Sequence, residues 1–367
     1  MTIVGIAGCT ALLLTGLGLH DALWDIIDKQ FGPIVNYNMV VQLSDDASQD
    51  DISQTMAYME GTGDVGQMAR AERMNMQVAS ATHNPTGLVI VIPENAQDMG
   101  ELVITKERIG QKPIELNERS VIMTEKMAKT LGVGKGDSIT VYEQDEIGNP
   151  VGDGYALTIT DVMEYYVGHE LIVGSDAWDA GVGTSLDYDA VYAVCTEDAA
   201  KRAAVTEGLH TRDEVETVGY NDETIDSYRK MLTSVNMIVV VLVVAAAGLA
   251  FIVLYNLTNI NITERRREIA SLKVLGFTRR EVNAYIFREI VLLTLIGAAF
   301  GLVLGYFLEG FVVTTAEVDY VMFGREIHLM SYVLGYVITI AFSAIVMFAM
   351  RHKLASIDMV ESLKSID

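Results

Sequence analysis

The sequence predicts a membrane α-helical protein with four spanning helices and an α+β extracytoplasmic domain inserted between the first and the second. Three observations carry this. Half of the 367 residues are hydrophobic and the mean hydropathy is +0.29, too apolar for an ordinary soluble chain and too charged for one buried throughout in lipid. The charge is confined: residues 21–230 hold 38 acidic and 15 basic side chains, the whole formal charge of −23, while the remainder is neutral with 11 of each. Long apolar runs lie on both sides of that acidic block.

A spanning helix needs about 20 mostly apolar residues to cross roughly 30 Å of hydrocarbon. Runs 237–255, 290–308 and 332–350 satisfy this without a single charge. The first run, 3–19, is shorter and starts at the N-terminus. It lacks the basic n-region and small-residue cleavage site of a signal peptide. Ile6-Ala7-Gly8-Cys9 imitates a lipoprotein cleavage box, but the apolar run follows the cysteine instead of preceding it. It reads as a helix whose basic flank is missing, the cut remainder of a longer one.

Basic residues in short loops mark the cytoplasmic side. Arg265, Arg266, Arg267, Lys273, Arg279, Arg280 and Arg288 lie between the second and third runs, and Arg351 and Lys353 follow the fourth. The loop between the third and fourth holds Arg325 alone against four acidic residues. The expected layout is therefore a first spanning helix at 1–20 and an extracytoplasmic α+β domain with its stalk at 21–230. Three more spans follow at 231–256, 289–309 and 331–350, joined by a cytoplasmic loop at 257–288 and an extracytoplasmic loop at 310–330. A cytoplasmic tail closes the chain at 351–367. The protein is placed in the cell membrane with its C-terminus cytoplasmic.

Within the acidic block, residues 38–226 alternate short strands and helices. Strands are expected at 88–92, 120–123, 138–142, 156–162, 170–173, 190–195 and 214–218. Helices are expected at 125–131, stopped by Gly132, and at 197–208. Asp45, Asp46, Asp50 and Asp51 read as a solvated helix start with Ser48 as N-cap. They lack the glycine and terminal glutamate of a calcium loop. The run Gly132-Val133-Gly134-Lys135-Gly136-Asp137-Ser138 superficially suggests a phosphate loop. That motif needs four residues between its glycine and Gly-Lys-Ser/Thr, after a strand and before a helix. Here the run follows a helix and opens a strand, so it reads as a Gly-rich turn feeding a barrel strand.

The six histidines are scattered with no paired spacing, no nucleophile elbow occurs, and Cys9 and Cys195 lie in different environments. No catalytic residue, metal site, cofactor or nucleic-acid partner is expected. The spans carry no central charge, which argues against an ion path.

The most specific stretch is 256–289. It holds two helical patterns, 263–275 and 279–288, hinged at Gly276, with Ile269, Leu272 and Leu275 forming an apolar stripe beside a charged face. A basic loop resting on anionic lipid would account for the arginines. It would leave Glu264, Glu268 and the Leu-Gly break unexplained. The run Glu264-Arg265-Arg266-Arg267-Glu268-Ile269-Ala270-Ser271-Leu272-Lys273-Val274-Leu275-Gly276-Phe277 resembles the FtsX-like permease family, the membrane subunits of MacB-type ABC transporters. The likeness continues through Glu289, the glycines of the third span and the tail Ile357-Asp358-Met359-Val360-Glu361-Ser362-Leu363-Lys364. The acidic domain, with Leu131 to Ile139, is similar to the family's periplasmic core domain. The opening residues look like the start of the C-terminal half of large two-module permeases.

The resemblance implies a non-enzymatic permease subunit, with ATP hydrolysis in a separate ABC ATPase docked on the cytoplasmic face. It also implies a second permease half or homodimer partner, and transmission of ATP-driven motion to the outer domain for export or extraction of a substrate. Glu264, Arg265, Arg266, Arg267, Glu268, Lys273 and Gly276 are the expected coupling residues. No proline interrupts 222–255, so a helix of about 50 Å is expected to connect domain and membrane. Gly297, Gly301 and Gly305, four apart on one face of the third span, are expected to pack closely on the second span or another subunit. A regulatory relative that controls an extracellular enzyme or senses peptides is the alternative. A membrane-anchored enzyme, lacking any motif, is the weakest reading.

Overall fold

The computed structural model describes residues 2–44 and 46–355. Met1, Asp45 and the tail from 356, with its run 357–364, lie outside the described residues. The chain divides into two compact units. One comprises the residues up to Trp24, Leu232–Glu317 and the residues from Phe323; the other is Asp25–Met231 with Val318–Met322.

The chain opens with α1 (Thr2–Gln30), which continues well past the predicted boundary at residue 20. The apolar period persists there: Ala22, Leu23, Ile26 and Ile27 are all buried, and Lys29 pairs with Asp25 one turn back at 3.0 Å.

The strands are β1 (Met39–Leu43), β2 (Val65–Ala79), β3 (Thr86–Pro93), β4 (Val121–Thr124), β5 (Ser138–Gln144), β6 (Pro150–Thr158), β7 (Asp161–Met163), β8 (Glu170–Val173), β9 (Ala190–Cys195) and β10 (Val215–Tyr220). They form one mixed sheet in the order β10-β1-β9-β2-β3-β8-β4-β7, with β5 joining β2 to β6. Pairs β3–β8 and β4–β7 are parallel; the others are antiparallel. The long β2 serves two neighbourhoods, since its first half pairs with β9 and its second with β3 and β5. Each half has its own core. Met39, Val41 and Val191 pack under Ile52 and Met59 of α2 (Gln49–Gly61) and Leu209 of α6 (Ala199–His210). Val78, Ile90 and Leu171 pack with Leu131 of α4 (Glu125–Leu131) and Trp178 of α5 (Ser175–Gly181). The short α3 (Ala96–Leu102) buries Met99 and Leu102.

Helix starts and stops follow local chemistry. Ser48 and Asp51 exchange hydrogen bonds in a capping box at the head of α2, one of the strongest N-terminal signals in a sequence. Gly132 ends α4 at φ +65°. The Gly-rich run after it is a turn into β5, with Lys135 Nζ 2.6 Å from Asp161 Oδ1; β5 continues the sheet through β2 and β6 rather than closing a barrel. The predicted strand 156–162 is two strands. At Ile159 and Thr160 the backbone turns from β5 toward Val121 O, to which Thr160 donates at 2.8 Å.

Asp189, just before β9, lies beside Glu72. Burial first, and that neighbouring charge second, push its carboxyl up to about 6. The unfolded carboxyl titrates near 3.9, so the folded chain binds this proton more tightly. The resulting stability is complete below about pH 4 and is lost as pH rises through about 6. Thermal unfolding of the full chain in detergent at pH 5 and pH 7 is expected to show wild type losing about 1–3 kcal/mol relative to Asp189→Asn over that interval. Parallel pH profiles would refute it.

The other unit is helical. α7 (Asn221–Glu264) is 44 residues long, α8 is Arg266–Val274, α9 is Arg279–Ala316 and α10 is Leu329–Ala355. Among the described residues four stretches are long and apolar enough to cross a membrane: Thr2–Gln30, Val239–Glu264, Phe287–Ala316 and Leu329–Met350. The second runs farther than the sequence suggested, because no glycine or proline interrupts it after Gly248. α9 fuses the predicted helix at 279–288 with the third span. Half of the most apolar stretch of α1 is buried within the chain, against 18 to 33% for the others, so the shortest predicted span is the best enclosed by its neighbours. Its Thr10 hydroxyl lies 3.2 Å from that of Thr339 on α10, and Thr294 of α9 lies 3.0 Å from Ser343 of α10. Such hydrogen bonds are worth about 0.6 kcal/mol each between helices in lipid.

Candidate functional site

Between α7 and α9 the chain makes an elbow. α7 stops at Glu264, α8 carries the arginine-rich run, and Gly276 adopts φ +91°, a conformation that favours glycine. Thr278 then caps α9: its hydroxyl accepts from Glu281 N–H while the Glu281 carboxylate accepts from Thr278 N–H at 2.8 Å. That backbone hydrogen bond, with the hydroxyl's, holds the Glu281 carboxyl below its ordinary range. The predicted first helix, 263–275, is thus broken at Arg265, with α8 starting one residue later.

Arg265 closes the elbow. Its guanidinium makes two parallel hydrogen bonds to the Glu289 carboxylate, one at 2.6 Å to Oε1 and one to Oε2, linking the end of α7 to α9. The fork geometry is the strong form of such a pair, although both side chains are about a third exposed. Glu268 accepts the Tyr285 hydroxyl at 3.1 Å, which raises the tyrosine's pKa and ties α8 to α9 a second time. Ile269 is buried against Ile262, Val282 and Ile290, so the predicted apolar stripe faces inward at that position.

The stripe does not stay inward. Val274, Leu275 and Phe277 are exposed, Leu275 by 75%. They lie outside the membrane-crossing stretches. Beside them a groove of about 470 Å³ is lined by Leu272, Phe277, Val282, Tyr285 and Arg288. Apolar side chains grouped at a charged surface mark an interaction site.

Of the expected coupling residues, Glu264 and Arg267 are exposed, Arg265 is paired, Glu268 is engaged by Tyr285, and Gly276 forms the turn. Arg266 and Lys273 lie on α8; their side chains fall outside those described. Sequence reasoning did not assign Tyr285 and Glu281 to the site, nor give Glu289 its partner. The Thr-x-x-Glu spacing at 278–281 was a readable signal for the cap.

The three glycines meet α1. A Cβ at Gly297 would lie 2.9 Å from Ile6 Cβ, at Gly301 2.7 Å from Ala7 O, and at Gly305 3.0 Å from Leu14 Cβ. The partner is the first span, not the second, because α1 offers Ala7 and Ala11 at matching spacing.

Among the described residues no group of His, Cys, Asp and Glu gathers in a metal-holding arrangement. Cys9 and Cys195 are buried and free.

Comparison with known proteins bears on both units. The sheet unit is similar in part to three solved structures. One is the extracellular domain of the noncanonic ABC-type transporter YknZ from Gram-positive bacteria, at 17% identity over 50% of this chain and 99% of that one, TM-score 0.32. Another is the periplasmic region of MacB from Actinobacillus actinomycetemcomitans, at 11% identity over 53% and 94%, TM-score 0.31. The third is a domain of a putative permease protein from Porphyromonas gingivalis, at 13% identity over 50% and 87%, TM-score 0.27. The chain matches no curated protein. Residues 240–359, which contain the elbow and the glycine row, match the model of the FtsX-like permease C-terminal family.

Proposed function

We propose that this chain is the permease subunit of an ABC transporter that passes ATP-driven motion from a separate cytoplasmic ATPase to its outer sheet domain, for export or extraction of a substrate. The observation that carries the proposal is the elbow, with Val274, Leu275 and Phe277 exposed beside a groove that the charged Glu281 and Arg288 also line. An apolar centre with a charged rim is the anatomy of a protein interface. On this reading the arginine-rich elbow and the C-terminus are cytoplasmic, as the distribution of basic residues supports, and a second permease copy or half completes the transporter. α7 is the transmitting rod. At 1.5 Å per residue its 44 residues span about 66 Å, and no proline interrupts it.

The test is charge reversal at the elbow, Arg266→Glu with Glu268→Arg, in the full chain reconstituted with its ATPase. Stimulation of ATP hydrolysis is expected to vanish while membrane insertion and expression persist. Unchanged stimulation would exclude the elbow as the coupling surface.

A further inference from the structure

The sheet unit holds a cavity of about 290 Å³ that the coupling reading does not use. Strand register explains its lining. Cross-strand partners share a face of a sheet, and alternate residues return to it. Glu170 pairs with Val89, Val89 with Asn75, and Arg73 lies two residues from Asn75 on the same face. Farther along β2, Ala69 pairs with Tyr192, Tyr192 with Val40 and Val40 with Gly219. One face therefore presents Glu170, Arg73 and Tyr192 in a row across the sheet, while the other carries the apolar cores. Tyr37 and Tyr165 come from the segments before β1 and β8. Tyr37 meets Tyr192 edge to face with ring centroids 4.9 Å apart. The far wall is the first turn of α7, where Asn221 donates to Tyr37 O at 2.6 Å and Thr224 also lines the cavity.

The lining of this cavity carries one charge of each sign. Glu170 is the only carboxylate in the lining and Arg73 the only cation. Arg73 is exposed while Tyr165 and Tyr192 are buried. Glu170 is partly buried and lines the cavity. Burial raises its pKa, with the Tyr165 hydroxyl and the Arg73 charge opposing. A buried carboxylate in this state gains from any further cation that reaches it. Aromatic rings beside it favour an organic cation over a hydrated metal ion, since ring faces attract ammonium groups.

We propose that this cavity is a binding site for a small organic ammonium ion, its charged group against Glu170 among the rings of Tyr37, Tyr165 and Tyr192, and its apolar body alongside Val35, Val40 and Val167. The site is independent of the coupling reading, because it needs neither the ATPase nor the elbow. Bound there, the ligand would brace Asn221 and Thr224 against the sheet.

The probe is 2-phenylethylammonium, titrated against the purified full chain in detergent by calorimetry, with 2-phenylethanol as the uncharged comparator. Saturable binding is expected for the ammonium ion, at least about tenfold tighter than for the alcohol, consistent with about 1.4 kcal/mol or more from the charge. Glu170→Gln, which keeps the side chain's shape, is expected to remove that preference. Tyr37→Phe keeps the ring and is expected to retain it, which guards against a folding defect in the first variant. Hydrogen exchange is expected to slow in the first turn of α7 when the probe is bound. Absence of saturable binding, equal affinity for the alcohol, or an undiminished preference in Glu170→Gln would overturn the proposal.

Discussion

Arg265→Glu is expected, on the proposed coupling to an ATPase, to lower its stimulation at least about tenfold, and Glu289→Arg in the same chain to recover most of it; coupling between two sites is commonly worth 5–150-fold. The argument rests on where the pair sits. Arg265 is the single residue between α7 and α8, and its fork of hydrogen bonds to Glu289 fixes the direction in which α8 leaves. As an exposed ion pair it contributes only about 1 kcal/mol or less to stability, so the single variant is expected to fold and insert. Its effect is on geometry. With two carboxylates facing each other the end of α7 and α9 at Glu289 repel, and a push on the groove no longer reaches α7 in register. Reversing both charges restores attraction between the same two helices, whereas a surface that acted only as a docking contact would be damaged further by the second change. ATPase stimulation in proteoliposomes, measured for the wild type, the two single variants and the double variant, separates these outcomes. Failure of the double variant to recover would show that Arg265 acts by touching the partner rather than by positioning α8.

How much of this was legible in the sequence depends on the distance over which each feature is determined. The spans were readable because hydrophobic length is a local property, and the ends of α4, β8 and β9 matched because glycine and β-branched residues punctuate them. β2 was not readable. Its sequence VGQMARAERMNMQVA alternates poorly and carries three charges, and its strand character comes from β9, β3 and β5, which lie far away in sequence. β1, apolar in all but Gln42, was missed although β8 is shorter by one residue. α3 and α5 carry glycines, Gly100 and Gly181, that hide a helical pattern, whereas the equally short α4 has none and is stopped by Gly132. At the elbow the composition singled out the segment, but the Arg265–Glu289 pair within it spans 24 residues and two helices. The cavity around Glu170 was invisible for the same reason, since its walls come from segments between Gln30 and Thr224.

Gly301→Leu is expected to be the most damaging single change in the helical unit, and it tests whether the glycine row is a packing surface. A Cβ at Gly301 would sit 2.5 Å from Thr10 Cβ and 2.7 Å from the Ala7 carbonyl oxygen. The first of these neighbours could rotate away only by giving up the Thr10–Thr339 contact to α10. The second is backbone and moves only with the whole of α1. Overpacking of this kind costs about 1–3 kcal/mol where side chains can adjust, and a backbone clash places this variant at or above the upper end. Gly310→Leu, on the same helix, is the matched control, because nothing lies within 4 Å of the Cβ it would add. Leucine is also a better helix former than glycine by about 0.8 kcal/mol, so that variant is expected to melt no lower than wild type. Thermal unfolding in detergent, followed by circular dichroism, is expected to show Gly301→Leu melting well below Gly310→Leu. Equal melting temperatures would mean that α1 does not press on the glycine row in the folded protein, and that the row serves some other surface.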